Sequence, residues 1–250
     1  MNRFARTVWC LLFVGGAAEA ADNSLKTVAA SQVPSWSGFY IGGHGGYGEN
    51  DDPFSLPIAG MSPTTSPPVK GLKSNGWVAG GQVGYNWQYA AIVGGFELDA
   101  SATGIKGNSA PAVVTFLSQT YGDDVRLLGT ARGRLGLAPT SDWLFYATGG
   151  LAWERLDQIS VLYSVGPGGS FTSTTISPAN LFGWVLGAGV EARIAESNWI
   201  ARLEYLHHDF GHLRTSNSVI NTVPNGNSNS PVGDQTIDII RAGLSYKFGG

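Results

Sequence analysis

Ionisable side chains recur at alternate positions inside otherwise apolar stretches of this chain. One parity collects six acids and seven bases: Glu97, Asp99, Arg126, Arg132, Arg134, Glu154, Glu191, Arg193, Arg202, Glu204, Asp238, Arg241 and Lys247. Carboxylates set among guanidinium groups can do acid–base chemistry or simply neutralise one another. Buried charge persists only when paired, so an ion-pair network is the expectation, built from Glu97, Asp99, Arg126, Arg132, Arg134, Glu154, Glu191, Arg202, Glu204 and Arg241. Within it, Glu97 and Asp99 are expected to face the arginines of the next strand. His207, His208 and His212, with Asp209, form the one histidine cluster that metal or haem binding could use. No further ligand completes that set, so interfacial and loop histidines are the plainer expectation, and neither a metal nor a cofactor is assigned. A hydrolase would need a serine beside a histidine at one rim. No serine has a place beside His207, and no catalytic residue is assigned. Residues 43–48 match G-x-G-x-x-G, but no helix opens there and a Pro-rich stretch follows, so these are read as strand glycines.

The elements that must carry these residues are strands. From Asn75 onward, Trp77, Ala79, Gly81, Val83, Tyr85 and Trp87 alternate with residues that include Gln82 and Asn86. Ten residues separate the two tryptophans, as they do Trp143 and Trp153. At a tilt near 40° that interval covers roughly 26 Å, the height of the apolar band between the aromatic girdles of outer-membrane barrels. Period-two patterning with turn signals gives eight strands: 38–48, 75–87, 91–101, 124–137, 143–155, 180–193, 199–210 and 235–248. Tight turns follow the second, fourth and sixth. Stretches of more than 20 residues rich in Gly, Pro, Ser, Thr and Asn follow the first, third, fifth and seventh, and their composition favours mobility and water. The predicted fold is therefore all-β, an eight-stranded antiparallel up-and-down transmembrane β-barrel with short periplasmic turns and long external loops.

One parity choice per strand gives two aromatic belts. Phe39, Tyr85, Trp87, Trp143, Phe145, Trp199, Tyr246 and Phe248 fall at the periplasmic ends, and Tyr47, Trp77, Trp153, Phe182, Trp184 and Tyr205 at the outer ends. The same choice turns Leu98, Val125, Leu127, Leu135, Leu151, Leu186, Val190, Leu203, Ile240 and Leu244 toward lipid and the charges inward. A soluble ligand-binding barrel would reverse those faces. Eight strands enclose a space that side chains can fill, so the charged interior is expected to act as a plug. The competing expectation is a transport role, either as a narrow channel for small solutes, with interior glycines leaving room for water, or as a haem-binding surface receptor. Arg155 is the clear base on the lipid-facing parity, at the outer end of its strand, where a guanidinium fork suits lipopolysaccharide phosphate.

Composition agrees with a strand-built membrane protein: 13% of residues are charged, and Gly occurs 36 times, about double its usual share. No run of 18 apolar residues occurs, so a helical span in the mature chain is not expected. Arg3 and Arg6, the apolar run 8–16 and Ala18-Glu19-Ala20 read as a Sec signal peptide, residues 1–20, cut after Ala20. Residues 21–35 follow as a flexible periplasmic lead-in, and 36–250 form the barrel. Cys10 lies in the leader, so the mature chain has no thiol chemistry. Removing the leader's Arg3, Arg6 and Glu19 from 15 basic and 18 acidic residues leaves a net charge near −4. That is too small and too dispersed for a nucleic-acid partner.

Several motifs are more specific. Trp36-Ser37-Gly38-Phe39-Tyr40-Ile41-Gly42 resembles the W-[ST]-G-F-Y-[VI]-G start of the porin-like outer membrane immunogenic proteins, or surface antigens, of α-proteobacteria. Similar matches are the run 77–87, Tyr146-Ala147-Thr148-Gly149-Gly150-Leu151-Ala152, 183–191, Arg202-Leu203-Glu204-Tyr205 and 241–248. The resemblance spans nearly all of 36–248. It implies an OmpA-type barrel in the outer membrane of a Gram-negative bacterium, surrounded by lipid and lipopolysaccharide, abundant at the surface and not an enzyme. Haem binding described for some relatives is the reason His207, His208 and His212 are kept in view. The resemblance also implies handling by periplasmic chaperones and the barrel-assembly machinery, with Tyr246 and Phe248 in the C-terminal assembly signal. Gly249 and Gly250 depart from that signal, which normally ends at the phenylalanine. The pattern fixes neither loop partners nor an oligomeric state.

Overall fold

The computed structural model describes residues 35–56, 69–108, 111–114, 116–195, 197–214 and 231–248. The expected leader, most of the expected lead-in, Cys10, Gly249 and Gly250 lie outside them. Strands dominate the described residues: β1 (Gly38–Leu56), β2 (Val69–Tyr89), β3 (Ile92–Thr103), β4 (Lys106–Asn108), β5 (Ala112–Val114), β6 (Leu117–Leu137), β7 (Trp143–Gly166), β8 (Gly169–Arg193), β9 (Trp199–Arg214) and β10 (Pro231–Lys247). Eight of them run antiparallel in the order β1-β10-β9-β8-β7-β6-β3-β2, and β2 pairs back to β1. β4 and β5 are short outer pieces held against β6. Closing the ring matters because a lipid-exposed edge would strand backbone N–H and C=O groups where no water can reach them.

The eight strands expected from the pattern are the eight of the ring. At their outer ends they run on further than predicted. β7 continues past Arg155 to Gly166 and β8 begins at Gly169, so the long loop expected after residue 155 is instead a tight hairpin. Its Ser and Thr content suggested a loop, yet Ile159, Val161, Tyr163, Val165, Phe171, Thr174, Thr175 and Ile176 are the β-branched and aromatic residues that pleated strands favour. Only Pro167 and Gly168, between the two strands, turn the chain.

The two aromatic belts have the predicted outward exposure. Phe39, Trp87, Trp143, Phe145, Trp199 and Phe248 are exposed at the end with the tight turns, expected to be periplasmic, and Tyr47, Trp77, Phe182, Trp184 and Tyr205 at the other, while Tyr85, Trp153 and Tyr246 are partly exposed. Edge-to-face contacts link neighbours across strands, as in Phe39–Tyr85 at 4.7 Å and Trp199–Tyr246 at 5.3 Å between ring centres. No helix among the described residues is long and apolar enough to cross a membrane.

Parity breaks at one place. The β6–β7 register shifts between Val125 and Leu127, leaving Arg126 without a cross-strand partner. This β-bulge reverses the faces beyond it. Val125, expected toward lipid, is fully buried among apolar side chains, and Arg126, expected inside, is more than half exposed.

Inward-facing residues form layers. At the periplasmic end Trp36, Val93, Ala138, Leu144, Tyr146 and Ile200 pack together. Toward the outer end a larger apolar cluster contains Val78, Ile105, Val125, Leu128, Leu156, Val185, Leu206, Phe210, Ile237 and Ile239. Charged groups occupy the level between them. The sequence expectation of a charged interior omitted both apolar layers, although Val78, Leu128, Leu144, Val185, Ile200 and Leu206 share the inward parity.

Candidate functional site

Strand register builds the middle layer. Glu97 stands directly opposite Arg132, Glu191 opposite Arg202, and Glu204 opposite Arg241. Three cross-strand acid–base pairs therefore point into one lumen before any longer reach is considered. Arg132 joins them: its Nη2 pairs with Glu97 and lies 3.0 Å from Asp99 Oδ2, while Nη1 lies 3.1 Å from Glu204 Oε1. Arg241 reaches Glu204 at 2.7 Å and Asp99 at 3.3 Å. Arg202 bridges Glu97 and Glu191, each at 2.7 Å, and Arg134 lies 2.8 Å from Glu191. Four carboxylates thus meet four guanidinium groups, all nearly fully buried.

Neutral groups complete the layer. Tyr40 donates its hydroxyl hydrogen to Glu97 at 2.7 Å, and Tyr146 donates to Glu204 at 2.9 Å. The Arg134 guanidinium sits 4.0 Å from the centre of the Tyr146 ring, a cation–π distance. The glycines of these strands admit this crowding. A Cβ on Gly84 would meet the Tyr40 hydroxyl, and one on Gly189 the Tyr146 hydroxyl.

Not every residue of the expected network lies in this layer. Arg126 is outside it because of the bulge, pairing instead with Asp124 at 3.2 Å and Asp157 at 3.1 Å. Glu154 is buried but separate: Gln235 Nε2 donates to it at 3.2 Å, and no guanidinium or ammonium group among the described residues lies within 4.0 Å. Asp238, grouped with the interior set, faces outward. It shares the parity of Ile240 and Leu244, and it accepts from Tyr205 and contacts His207 Nδ1, both at 2.7 Å. Arg193 and Lys247 sit at the periplasmic end, where the Arg193 guanidinium lies over Trp36 and Lys247 donates to the Ser37 carbonyl at 2.9 Å.

The histidine cluster divides between the two faces of β9. His207 faces outward beside Trp184, while His208 is buried in the lumen against Phe210. The side chain of His212 lies outside the described ones. Among the described residues no three His, Cys, Asp or Glu side chains are arranged to hold a metal ion. Tyr246 and Phe248 are on the outward face at the periplasmic end, stacked edge to face at 5.2 Å. Arg155 is exposed two residues beyond Trp153, with no acidic partner within 4.0 Å among the described residues.

One arrangement was not anticipated. His44 Nε2 lies 2.7 Å from Ser101 Oγ, and its Nδ1 lies 2.6 Å from Gln82 Oε1. Serine, histidine and an orienting amide are the parts of a nucleophilic site. Here all three are buried within the lumen, and Arg241 Nη1, 3.2 Å from the same Nε2, opposes the imidazolium that catalysis would form. The trio serves as interior hydrogen bonding. The signal was present in the inward parity of His44, Gln82 and Ser101 on adjacent strands.

A closed antiparallel ring with aromatic belts outside and ionised groups inside defines a transmembrane β-barrel of the outer-membrane type. The chain belongs to the family of the outer membrane protein beta-barrel domain, whose model matches residues 9–248. It is 33% identical over 232 residues to the 31 kDa outer-membrane immunogenic protein of Brucella melitensis, covering 91% of this chain and 90% of that one. It is 32% identical over 178 residues to a 22 kDa outer membrane protein of Rhizobium leguminosarum, covering 70% and 65%. Among solved structures, Neisserial surface protein A matches 85% of this chain and 98% of its own at 15% identity, with a TM-score of 0.41. The protein is an outer-membrane β-barrel resembling surface antigens.

Proposed function

We propose that this protein is a structural and surface-exposed component of the outer membrane whose lumen is plugged. The observation that carries the reading is the layering of the interior: a charge-balanced belt with an apolar layer on either side. An ion entering from either end meets a largely apolar layer before the belt, whose own charges already neutralise one another. Planar-bilayer recording of the purified protein tests this. Only baseline current is expected, and large, stable single-channel steps would overturn the plug.

The lipid environment follows from the outer surface. Arg155, with no acidic partner among the described residues and just beyond the outer belt, contacts a lipopolysaccharide phosphate through its guanidinium fork. Its removal is expected to weaken lipopolysaccharide association severalfold while leaving heat-modifiable mobility intact. Unchanged association of Arg155→Ala with lipopolysaccharide would remove that contact from the account. Export through a cleaved leader, and handling of the Tyr246/Phe248 end by chaperones and assembly machinery, complete the proposal. N-terminal sequencing of the outer-membrane form checks the cleavage after Ala20.

A further inference from the structure

Beyond the outer belt, β6, β7 and β8 continue as a sheet, and among the described residues one edge of that sheet is open. β7 pairs with β8 along its whole length, from Trp143 opposite Ala192 to Gly166 opposite Gly169. On its other side β8 pairs with β9 only from Trp184 opposite Asp209 to Arg193 opposite Ile200. Above that point β9 departs. Its register against β10 shifts at Asp234, and Gly211 takes a left-handed φ of 69°, a conformation that glycine tolerates. Among the described residues no strand is paired with β8 from Gly169 to Phe182, and every side chain there is exposed or partly exposed. Pro178 marks the lower end of the usable edge, since proline has no N–H to donate and is tolerated where a strand is unpaired on one side.

Open edges are normally blunted by charge. This one is not: no charged residue stands between Asp157 and Glu191. Residues 169–177, Gly-Ser-Phe-Thr-Ser-Thr-Thr-Ile-Ser, combine strong β-propensity with an unpaired row of backbone donors and acceptors.

We propose that this edge pairs with the same edge of a second copy of the chain, held in a facing membrane. An uncharged strand meets its own copy without like-charge repulsion, and Ser and Thr side chains opposite one another form favourable cross-strand pairs. Direction then selects the geometry. β8 descends from its outer tip at Gly169 toward the periplasmic turn, so two copies in one membrane present it running the same way. A two-fold axis along the membrane normal would also cross their tilts of about 40° instead of aligning them. Copies in apposed membranes present the strand in opposite directions, as antiparallel pairing requires. The contact is isologous, residue for residue, and joins one membrane to another.

The proposal rests on the reading that the hairpin end faces outward, and the test separates the two. Protein is inserted into phosphatidylcholine vesicles, and clustering is followed by light scattering. Wild-type vesicles are expected to cluster. Vesicles carrying Thr172→Lys/Thr174→Lys are expected to remain dispersed at the protein-free level. Mixing them with vesicles carrying Thr172→Glu/Thr174→Glu is expected to restore clustering, whereas each charged variant alone stays dispersed. Heat-modifiable mobility confirms that the variants fold, and protease cleavage of the hairpin in sealed vesicles reports its side. Absence of wild-type clustering with the hairpin cleaved from outside overturns the edge pairing. A hairpin that is protected overturns the orientation and the pairing with it. Clustering that both charged variants retain points to another surface and equally overturns the proposal.

Discussion

The lumen between the aromatic belts and the β6–β7–β8 sheet beyond them are built from the same period-two strands, yet they solve opposite problems. In the first, lipid surrounds the wall, so every backbone edge is closed and the charges gather inside, where Arg132 touches Glu97, Asp99 and Glu204. In the second, no lipid surrounds the wall, so among the described residues an edge of β8 is left unpaired and ion pairs such as Arg126–Asp157 stand partly exposed. The solvent, more than the strand pattern, decides where polarity is allowed.

That contrast breaks if arginines in the two regions prove equally important. Arg132→Met leaves three carboxylates short of a buried partner and is expected to cost about 3–5 kcal/mol in urea unfolding from vesicles. Arg126→Met loses two contacts of a half-exposed side chain and is expected to cost less than about 1 kcal/mol. Similar midpoints for the two variants would mean that the belt is screened by water, and the plug would then lose its energetic basis.

Backbone spacing sharpens the same comparison with a smaller effect. A Cβ on Gly150 would collide with the Ala131 carbonyl across the β6–β7 pair, whereas one on Gly168 meets nothing within 4 Å. Gly150→Val is expected to destabilise by about 1–3 kcal/mol through strand displacement. Gly168→Val, at the hairpin tip, is expected to stay within about 0.5 kcal/mol. Unfolding midpoints of the two variants in the same vesicles decide it.

The wall of this barrel was legible because, apart from the bulge at Arg126, its faces alternate: from Trp77 to Trp87 the outward residues can be read directly, and the expected strands coincide with the ring. The three directly opposed pairs of the lumen were only half legible. Glu97, Glu191, Glu204 and their arginines could be assigned to one face, but which stands opposite which depends on register, and register is set by the turns. Arg126 and Val125 were misplaced because a bulge leaves no mark in the residue pattern; it is set by how β6 and β7 pair. Asp238 is different, since its parity with Ile240 already placed it outside. The outer hairpin was missed because Thr and Ser serve loops and strands alike, and only the pairing of β7 with β8 decides between them.

The subtlest expected difference concerns a carboxylate that has no counterpart of the belt's arginines. Asp123, on the outer part of β6, is pushed up to about 6 by burial. An unfolded aspartate titrates near 3.9, so between about pH 4 and pH 6 the folded sheet holds a proton that the unfolded chain has lost. Binding more protons when folded means that stability is greatest below about pH 4, falls as pH rises through 6, and is level above that. Asp123→Asn removes the titration and should flatten the profile. Hydrogen-exchange protection factors for the outer residues of β6 and β7, measured from pH 4 to pH 7, follow the change locally. A wild-type profile parallel to that of Asp123→Asn would mean that water reaches this carboxylate freely, and that the outer sheet is more open than its packing against β7 indicates.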